Sequence, residues 1–261
     1  MQCLIRGWCN RGVLRVTGQD ETGRQEHWQG TAGNLERFFI CAAAECPYGM
    51  ADKAVYHQAV FSRLDDDTLA AFLDRGYRRN GNCIYNMRCP DCALCVPIRL
   101  RPEQFRPNRN QRRAWRKNQD VAVEIAPLTM SRENLSLLQR FLSTRFPEGR
   151  SSAESYYAGF FITSVSRCFE IRYRVEGQLL GVAIVDAAPS WMNAVYFFFD
   201  PEQGWRSPGT LNILTLKHIC MTQKIGLLYL GYWIDGHAGM SYKSAFRPHE
   251  LLIDGVWQEQ D

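Results

Sequence analysis

The sequence predicts an α/β chain, an N-terminal cysteine-containing basic domain followed by a mixed strand-and-helix domain. Three observations carry this. An aromatic β-rich run, Asn193-Ala-Val-Tyr-Phe-Phe-Phe-Asp200, is separated from a second run, Leu227 to Ile234, by one helical pattern. Cysteines recur at two-residue gaps in Cys89-Pro-Asp-Cys92-Ala-Leu-Cys95. Positive charge is concentrated between Arg99 and Lys117, where eight Lys or Arg stand against Glu103 alone in a chain of formal net charge +4.

Composition narrows the class. Hydrophobic content of 46% with 22% charged residues is that of a globular protein able to bury a core in 261 residues. No apolar run approaches the ~18 residues of a membrane span. The start, Met1-Gln-Cys-Leu-Ile-Arg-Gly-Trp8, lacks a secretory hydrophobic segment, so the ten cysteines are expected as thiols or metal ligands in a reducing cytoplasm.

In chain order, residues 1–35 are short polar pieces punctuated by glycine, with an edge strand suggested at Val13 to Val16 and no ligand role read for Cys3 or Cys9. A Leu/Ala helix is expected near Asp65 to Asp74, then a basic turn, Arg75-Gly-Tyr-Arg-Arg-Asn-Gly81. Tight turns at two-residue spacing let thiolates converge on one cation or cluster, so Cys89, Cys92 and Cys95 are candidate ligands. Cys46, followed by Pro47, is the preferred fourth, ahead of Cys41 and Cys83; spacing leaves zinc, iron-sulfur and free thiols open. Next, Arg109, Arg112/Arg113 and Arg116/Lys117 fall three to four residues apart, a guanidinium stripe beside Trp115. Planar bidentate donors and a stacking ring suit nucleic acid.

The second part opens with a strand at Val121 to Ile125 and a helix from Ser131 to Phe146, Ser131 supplying the cap. Strands follow at Glu170 to Arg174 and Gln178 to Val185, ending at Asp186. In Asn193 to Asp200 a period of two puts Tyr196, Phe198 and Asp200 on one face. Ser207 and Pro208 then open a helix by capping it and fixing its first turn. Strand, helix and strand with short joints predict a right-handed crossover between parallel strands, with the helix N-terminus and the end of the first strand opening on one side. A site is expected there.

No Gly-rich P-loop, HExxH or nucleophile elbow is present. An antiparallel run entering such a helix resembles the N-acetyltransferase (GNAT-type) fold. Eight motifs go further: Cys46-Pro-Tyr48, Arg75 to Gly81, Cys89 to Arg99, Asn110-Gln-Arg-Arg113, Ala194 to Pro201, Arg206-Ser-Pro-Gly-Thr210, Tyr229-Leu-Gly-Tyr-Trp-Ile234 and Met240-Ser-Tyr-Lys243. Over residues 41–257, in order, they resemble the aminoacyl-tRNA–protein transferases of the N-end rule, the eukaryotic arginyltransferases and bacterial aspartate/glutamate leucyltransferases. The departures are residues 1–40, Gly49 in place of Leu, Arg145-Phe-Pro147 in place of Arg-His, and His237 and Gly239 where Cys and Lys are common.

The resemblance implies a cytoplasmic enzyme that moves arginine or leucine from charged tRNA to the α-amine of an N-terminal acidic residue, tagging proteins for degradation. The partners are then aminoacyl-tRNA and an acceptor protein or peptide N-terminus, with no membrane. No cofactor is needed for the chemistry, and an iron-sulfur cluster or zinc would be structural or regulatory. Residues 1–35 become an extension without an assigned role, 36–125 the cysteine-rich basic domain and 126–261 the acetyltransferase-like domain. As catalytic residues Asp200, Tyr196 and Lys243 are nominated on the matching motifs; Asp186, which closes a Val/Ile/Ala strand, and His237, a candidate base in a Gly-flanked loop, are added from their own sequence setting. Ser207, Gly209, Thr210, Tyr232, Trp233 and Tyr242 would bind substrate, and Arg78, Arg79, Arg99, Arg109, Arg112, Arg113 and Arg116 tRNA phosphates. Three rival readings are a tRNA-dependent transferase acting on a biosynthetic peptide or small amine, an acyl-CoA N-acetyltransferase, and a non-enzymatic tRNA-binding module.

Overall fold

The computed structural model describes residues 28–50, 53–147, 149 and 151–261. The strand suggested at Val13 to Val16, and Cys3 and Cys9, lie outside them. Short helical turns (Trp28–Ala32, Gly33–Leu35, Glu36–Phe38) lead to β1 (Ile40–Ala44) and β2 (Ala54–Val60). Helix α1 (Asp66–Asp74) separates these from β3 (Arg78–Asn80) and β4 (Cys83–Met87). The four strands form an antiparallel sheet in the order β1-β2-β4-β3. The Asp65 carboxylate accepts the Thr68 amide at 2.7 Å, satisfying one of the donors a helix start leaves unpaired. Behind that cap Leu69, Phe72 and Leu73 pack with Ile84 and Tyr77.

The remaining elements are β5 (Val96–Leu100), α2 (Arg109–Lys117), β6 (Ala122–Pro127), α3 (Arg132–Arg145), α4 (Ala153–Phe160), β7 (Cys168–Val175), β8 (Gln178–Ala187) and β9 (Trp191–Phe199). After them come α5 (Pro208–Gln223), β10 (Leu227–Trp233), β11 (His249–Ile253) and β12 (Val256–Gln260). All the strands of this group join one eight-stranded sheet in the order β12-β11-β5-β10-β9-β8-β7-β6. From β6 to β9 it is antiparallel; β10 then returns parallel to β9 through α5. The fold is therefore α/β, with the antiparallel run, crossover helix and parallel strand that the sequence analysis took as acetyltransferase-like. The surprise is β5. It comes from the cysteine-rich segment yet lies between β11 and β10, antiparallel to both, so the two segments are interleaved through one sheet.

Both sheet faces are covered. On one, Leu211, Leu214 and Ile219 of α5 pack with Ile171, Val185 and Leu228. On the other, Leu138 and Phe141 of α3 and Tyr157 of α4 pack with Val182, Ile184 and Phe198. The central strand β8 is buried at every residue after Gln178, as its near-continuous Val, Ile, Leu and Ala run requires.

Candidate active site

Strands β9 and β10 are paired only from Trp191 to Asn193 against Leu227 to Tyr229. Beyond that both strands are interrupted. Against β8, Ile184 pairs with Tyr196 but Val185 with Ala194, so Val195 is an extra residue. Against β5, Tyr229 pairs with Arg99 but Tyr232 with Pro97, and Gly231 there has φ +84°, a conformation that favours glycine. Such bulges bend strands and re-aim side chains. Here the strands part into an open cleft of ≈ 1910 Å³.

The N-terminus of α5 faces this cleft, with Ser207, Gly209 and Thr210 in its wall. The helix starts where the Ser207-Pro208 signal put it, with one correction. Ser207 is left-handed (φ 57°, ψ 55°) and its side chain makes no capping bond. First-turn N–H groups, with the positive end of the helix dipole, make a helix start a site for anions and developing oxyanions. At Gly209 an added Cβ would stand 3.3 Å from the Tyr242 ring, so the tyrosine lies close over the helix start and a side chain at 209 would have to push it back by a few tenths of an ångström.

The β10 bulge turns three successive carbonyls toward two cations. Lys243 Nζ donates to Leu230 O at 2.8 Å and to Tyr232 O at 2.7 Å. Arg78 Nη2 donates to Gly231 O at 2.8 Å. Burial of the ammonium, helped by the charge of Arg78, brings the Lys243 pKa down to about 7. Arg78 is pulled down too, by burial. Tyr48, Tyr85 and Tyr232 line the cleft around them. Burial raises the pKa of all three, as it does for Tyr196, and brings that of Tyr242 up to about 12. These are phenols, able to donate hydrogen bonds and poor as bases.

The cleft gathers Tyr196, Ser207, Gly209, Thr210, Tyr232, Tyr242, Lys243 and His237. Three other nominees lie elsewhere. Asp200 caps the helical turn Pro201–Arg206 by accepting Glu202 N and pairs with Arg140 of α3 at 3.2 Å. Its face was read correctly, but that face packs under α3 and α4. Asp186 is a buried structural carboxylate that accepts from Arg79, Ser166 and Asn193. Trp233 packs against the α5-side core, where its indole N–H is buried without a partner.

The predicted phosphate-binding arginines divide by exposure. Arg79 is paired with Asp186, and Arg99 is held by Glu250 at 2.6 Å and Asp74 at 2.8 Å. Both side chains are 1% exposed, so their charge is spent inside the protein. Arg78 is buried as well. Arg109, Arg112, Arg113 and Arg116 are exposed along α2, which starts with an Asn108/Gln111 capping box and buries Gln111 and Ala114. The exposed ring beside this stripe differs from the expected one. Trp115 is half-buried against the core, whereas Trp205 is 58% exposed, with Lys117 and Arg206 over its ring at 5.6 and 4.6 Å. Sequence distance hid Trp205; Gly204-Trp-Arg206 before the helix was the available signal.

The charges of Cys89, Cys46 and Cys92 bear on Cys95, whose thiol is pushed up to about 12 by burial first and then by them. Cys46 therefore lies near the other three. Among the described residues, however, no three His, Cys, Asp or Glu side chains are arranged to hold a metal ion. Nor is any described helix long and apolar enough to cross a membrane.

Comparison with known proteins gives the family. Residues 44–113 match the family model for the arginine-tRNA-protein transferase N terminus, and 133–253 the model for its C terminus. The aspartate/glutamate leucyltransferase of Nitrosococcus oceani is 42% identical over 185 residues, 70% of this chain and 78% of that one. Those of Halorhodospira halophila and Methylobacillus flagellatus are 35% and 33% identical, covering 76% and 85% of this chain and 86% and 91% of theirs. Among solved structures, FemX overlays with a TM-score of 0.46 at 9% identity, over 84% of this chain and 87% of that one, too distant to speak to the site. With both halves of the chain matched in order, and relatives similar over most of their length, the chain belongs to the arginine-tRNA-protein transferase family of aminoacyltransferases.

Proposed function

We propose that the cleft between β9 and β10 is where the aminoacyl ester of a charged tRNA meets the α-amine of a polypeptide whose first residue is acidic. The observation that carries this is the charge of the cleft. Helix α5 points its N-terminus into it, Arg78 and Lys243 line it, and among the described residues its one acidic lining residue, Glu45, is exposed. A cleft of that sign selects anionic substrates. Leucine is the favoured donor, since relatives 33–42% identical are named aspartate/glutamate leucyltransferases.

The chemistry asks mainly for alignment. The amine nitrogen attacks the ester carbonyl carbon, the carbonyl oxygen becomes an oxyanion, and the C–O bond to the ribose breaks as the peptide bond forms. The proton lost by the amine ends on the departing ribose hydroxyl. With an unperturbed pKa of ~7.7–8.0 the α-amine is partly neutral near physiological pH, so a strong base is unnecessary. First-turn N–H groups at Gly209 and Thr210, and the phenol of Tyr242, would supply donors to the oxyanion or the terminal phosphate. The exposed arginines of α2 would hold tRNA phosphates, and a charged-tRNA donor implies a cytoplasmic location. We take 36–125 as the tRNA-holding segment and 126–261 as the transfer segment. Cys46, Cys89, Cys92 and Cys95 enter no step.

The test is mass spectrometry of peptides beginning with Asp, Glu, Arg or Ala, incubated with the protein and tRNA charged with mixed amino acids. Gain of one leucine on the acidic peptides alone is the expected result. Gain of arginine would change the donor, and no gain on any peptide while charged tRNA binds would overturn the reading.

A further inference from the structure

Four arginines are buried among the described residues: Arg78, Arg79, Arg99 and Arg206. Three of them have a carboxylate: Asp186 at 2.7 Å from Arg79, Glu250 at 2.6 Å from Arg99, and Asp120 at 2.8 Å from Arg206. Arg78, 6% exposed, has none among the described residues. Its Nη1 donates to Tyr77 O at 2.8 Å and its Nη2 to Gly231 O at 2.8 Å, while Nε is buried without a partner. The titratable groups around it are the phenols of Tyr232, Tyr85, Tyr229 and Tyr48. The second cation of this wall, Lys243, likewise has no acid partner among the described residues and donates to the carbonyls of residues 230 and 232. A buried charge is costly unless paired, so a ligand that brings a counter-ion to this wall relieves that cost.

We propose that Arg78, with Lys243 beside it, is the receptor for the side-chain carboxylate of the acceptor's N-terminal residue, and so the residue that sets acidic specificity. This rests on the proposed function and takes Arg78 out of the set holding tRNA phosphates. Position favours the carboxylate over a phosphate. The tRNA backbone is a chain of diesters that needs an open track, which the exposed arginines of α2 provide. Arg78, 6% exposed, lines a cleft together with Tyr48, Tyr85 and Tyr232, which suits one flat anion on a short side chain. Asn or Gln in that place would leave the guanidinium without a counter-ion, so the amides are rejected although their shape is the same.

The experiment compares kcat/KM for peptides beginning with Asp and Glu against Asn and Gln, together with the Kd for charged tRNA. Wild-type protein is expected to prefer the acids by about 100-fold or more, as sites built on a polar partner do. In Arg78→Met the acids and amides converge to within a few-fold through a rise in acceptor KM, with the tRNA Kd unchanged; Arg78→Lys retains part of the preference. An Arg78→Met protein that still prefers acids overturns the proposal. So does one that binds tRNA more weakly with its acid preference intact, since the guanidinium then serves a phosphate. Wild-type protein that modifies no peptide sinks the functional reading itself, before any variant is made. Should both variants fail to fold, a crystal structure of wild-type protein with an Asp-initiated dipeptide decides. Its side-chain carboxylate is expected on Arg78 or Lys243, and a carboxylate bound elsewhere overturns the assignment.

Discussion

Arg79 and Asp186, 107 residues apart in sequence, meet at 2.7 Å with both side chains 1% exposed, tying the small sheet to the central strand of the large one. Removing one partner of a buried pair leaves the other charge uncompensated, which costs about 3–5 kcal/mol. Asp186→Ala is therefore expected to lose stability of that order in urea denaturation, and Arg79→Ala a similar amount. At temperatures where Asp186→Asn is fully folded, its turnover should stay within a few-fold of wild type. Full stability with lost turnover would return Asp186 to the chemistry.

Lys243 makes stability depend on pH with a definite sign. Its folded pKa is lowered from 10.5 to about 7, by burial and then by Arg78. Between about pH 7 and pH 10 the unfolded chain binds a proton that the folded chain does not, so this group's contribution to stability rises with pH across that window. It is most unfavourable below pH 7, where the buried ammonium is charged in the folded state. Lys243→Met removes the group. The stability of wild type relative to Lys243→Met should climb from pH 7 to pH 9 by at most about 1.4 kcal/mol per pH unit. A flat difference would show that Lys243 titrates normally.

Helix α2 should govern the salt dependence of tRNA binding. Replacing Arg109, Arg112, Arg113 or Arg116 singly by Gln is expected to flatten the slope of log K against log salt by about one unit each, with little effect on acceptor KM. Trp205→Ala should weaken tRNA binding by about 1–3 kcal/mol if its exposed ring stacks a base, and leave the salt slope unchanged. Filter binding at several salt concentrations separates the two effects.

What could be read from the sequence follows from the range of the forces involved. The α5 crossover was legible because its signals are local: Ser207-Pro208 at the start, an apolar stripe, and β-rich runs on either side. Arg78 and Arg79 show the limit. They are adjacent and chemically identical, yet one meets Asp186 and the other no acid, and only tertiary packing decides which. Arg99 was read as part of a surface patch because its neighbours in sequence are basic; its partner Glu250 lies 151 residues on. The cleft itself comes from two bulges, at Val195 and near Gly231; a one-residue shift flips the faces of a strand, but β9 and β10 are aromatic or apolar on both faces, so no alternation in the sequence records it. Strand β5 was missed for a similar reason, since joining the larger sheet depends on β10 and β11, more than a hundred residues away.

Gly231 offers the most direct test of that geometry. At φ +84° a non-glycine residue is strained by roughly 1–2 kcal/mol. An added Cβ would also stand 3.7 Å from Lys243 Nζ, ordinary contact, so backbone strain and not collision is the perturbation. To relieve it the chain must rotate the peptide whose carbonyl Arg78 holds, and with it the neighbours that hold Lys243. Gly231→Ala is thus expected to be only modestly less stable but to show a clearly raised acceptor KM, with tRNA affinity preserved because α2 lies outside the bulge. An unchanged acceptor KM would mean that the bulge serves packing alone and that the two cations keep their places without it.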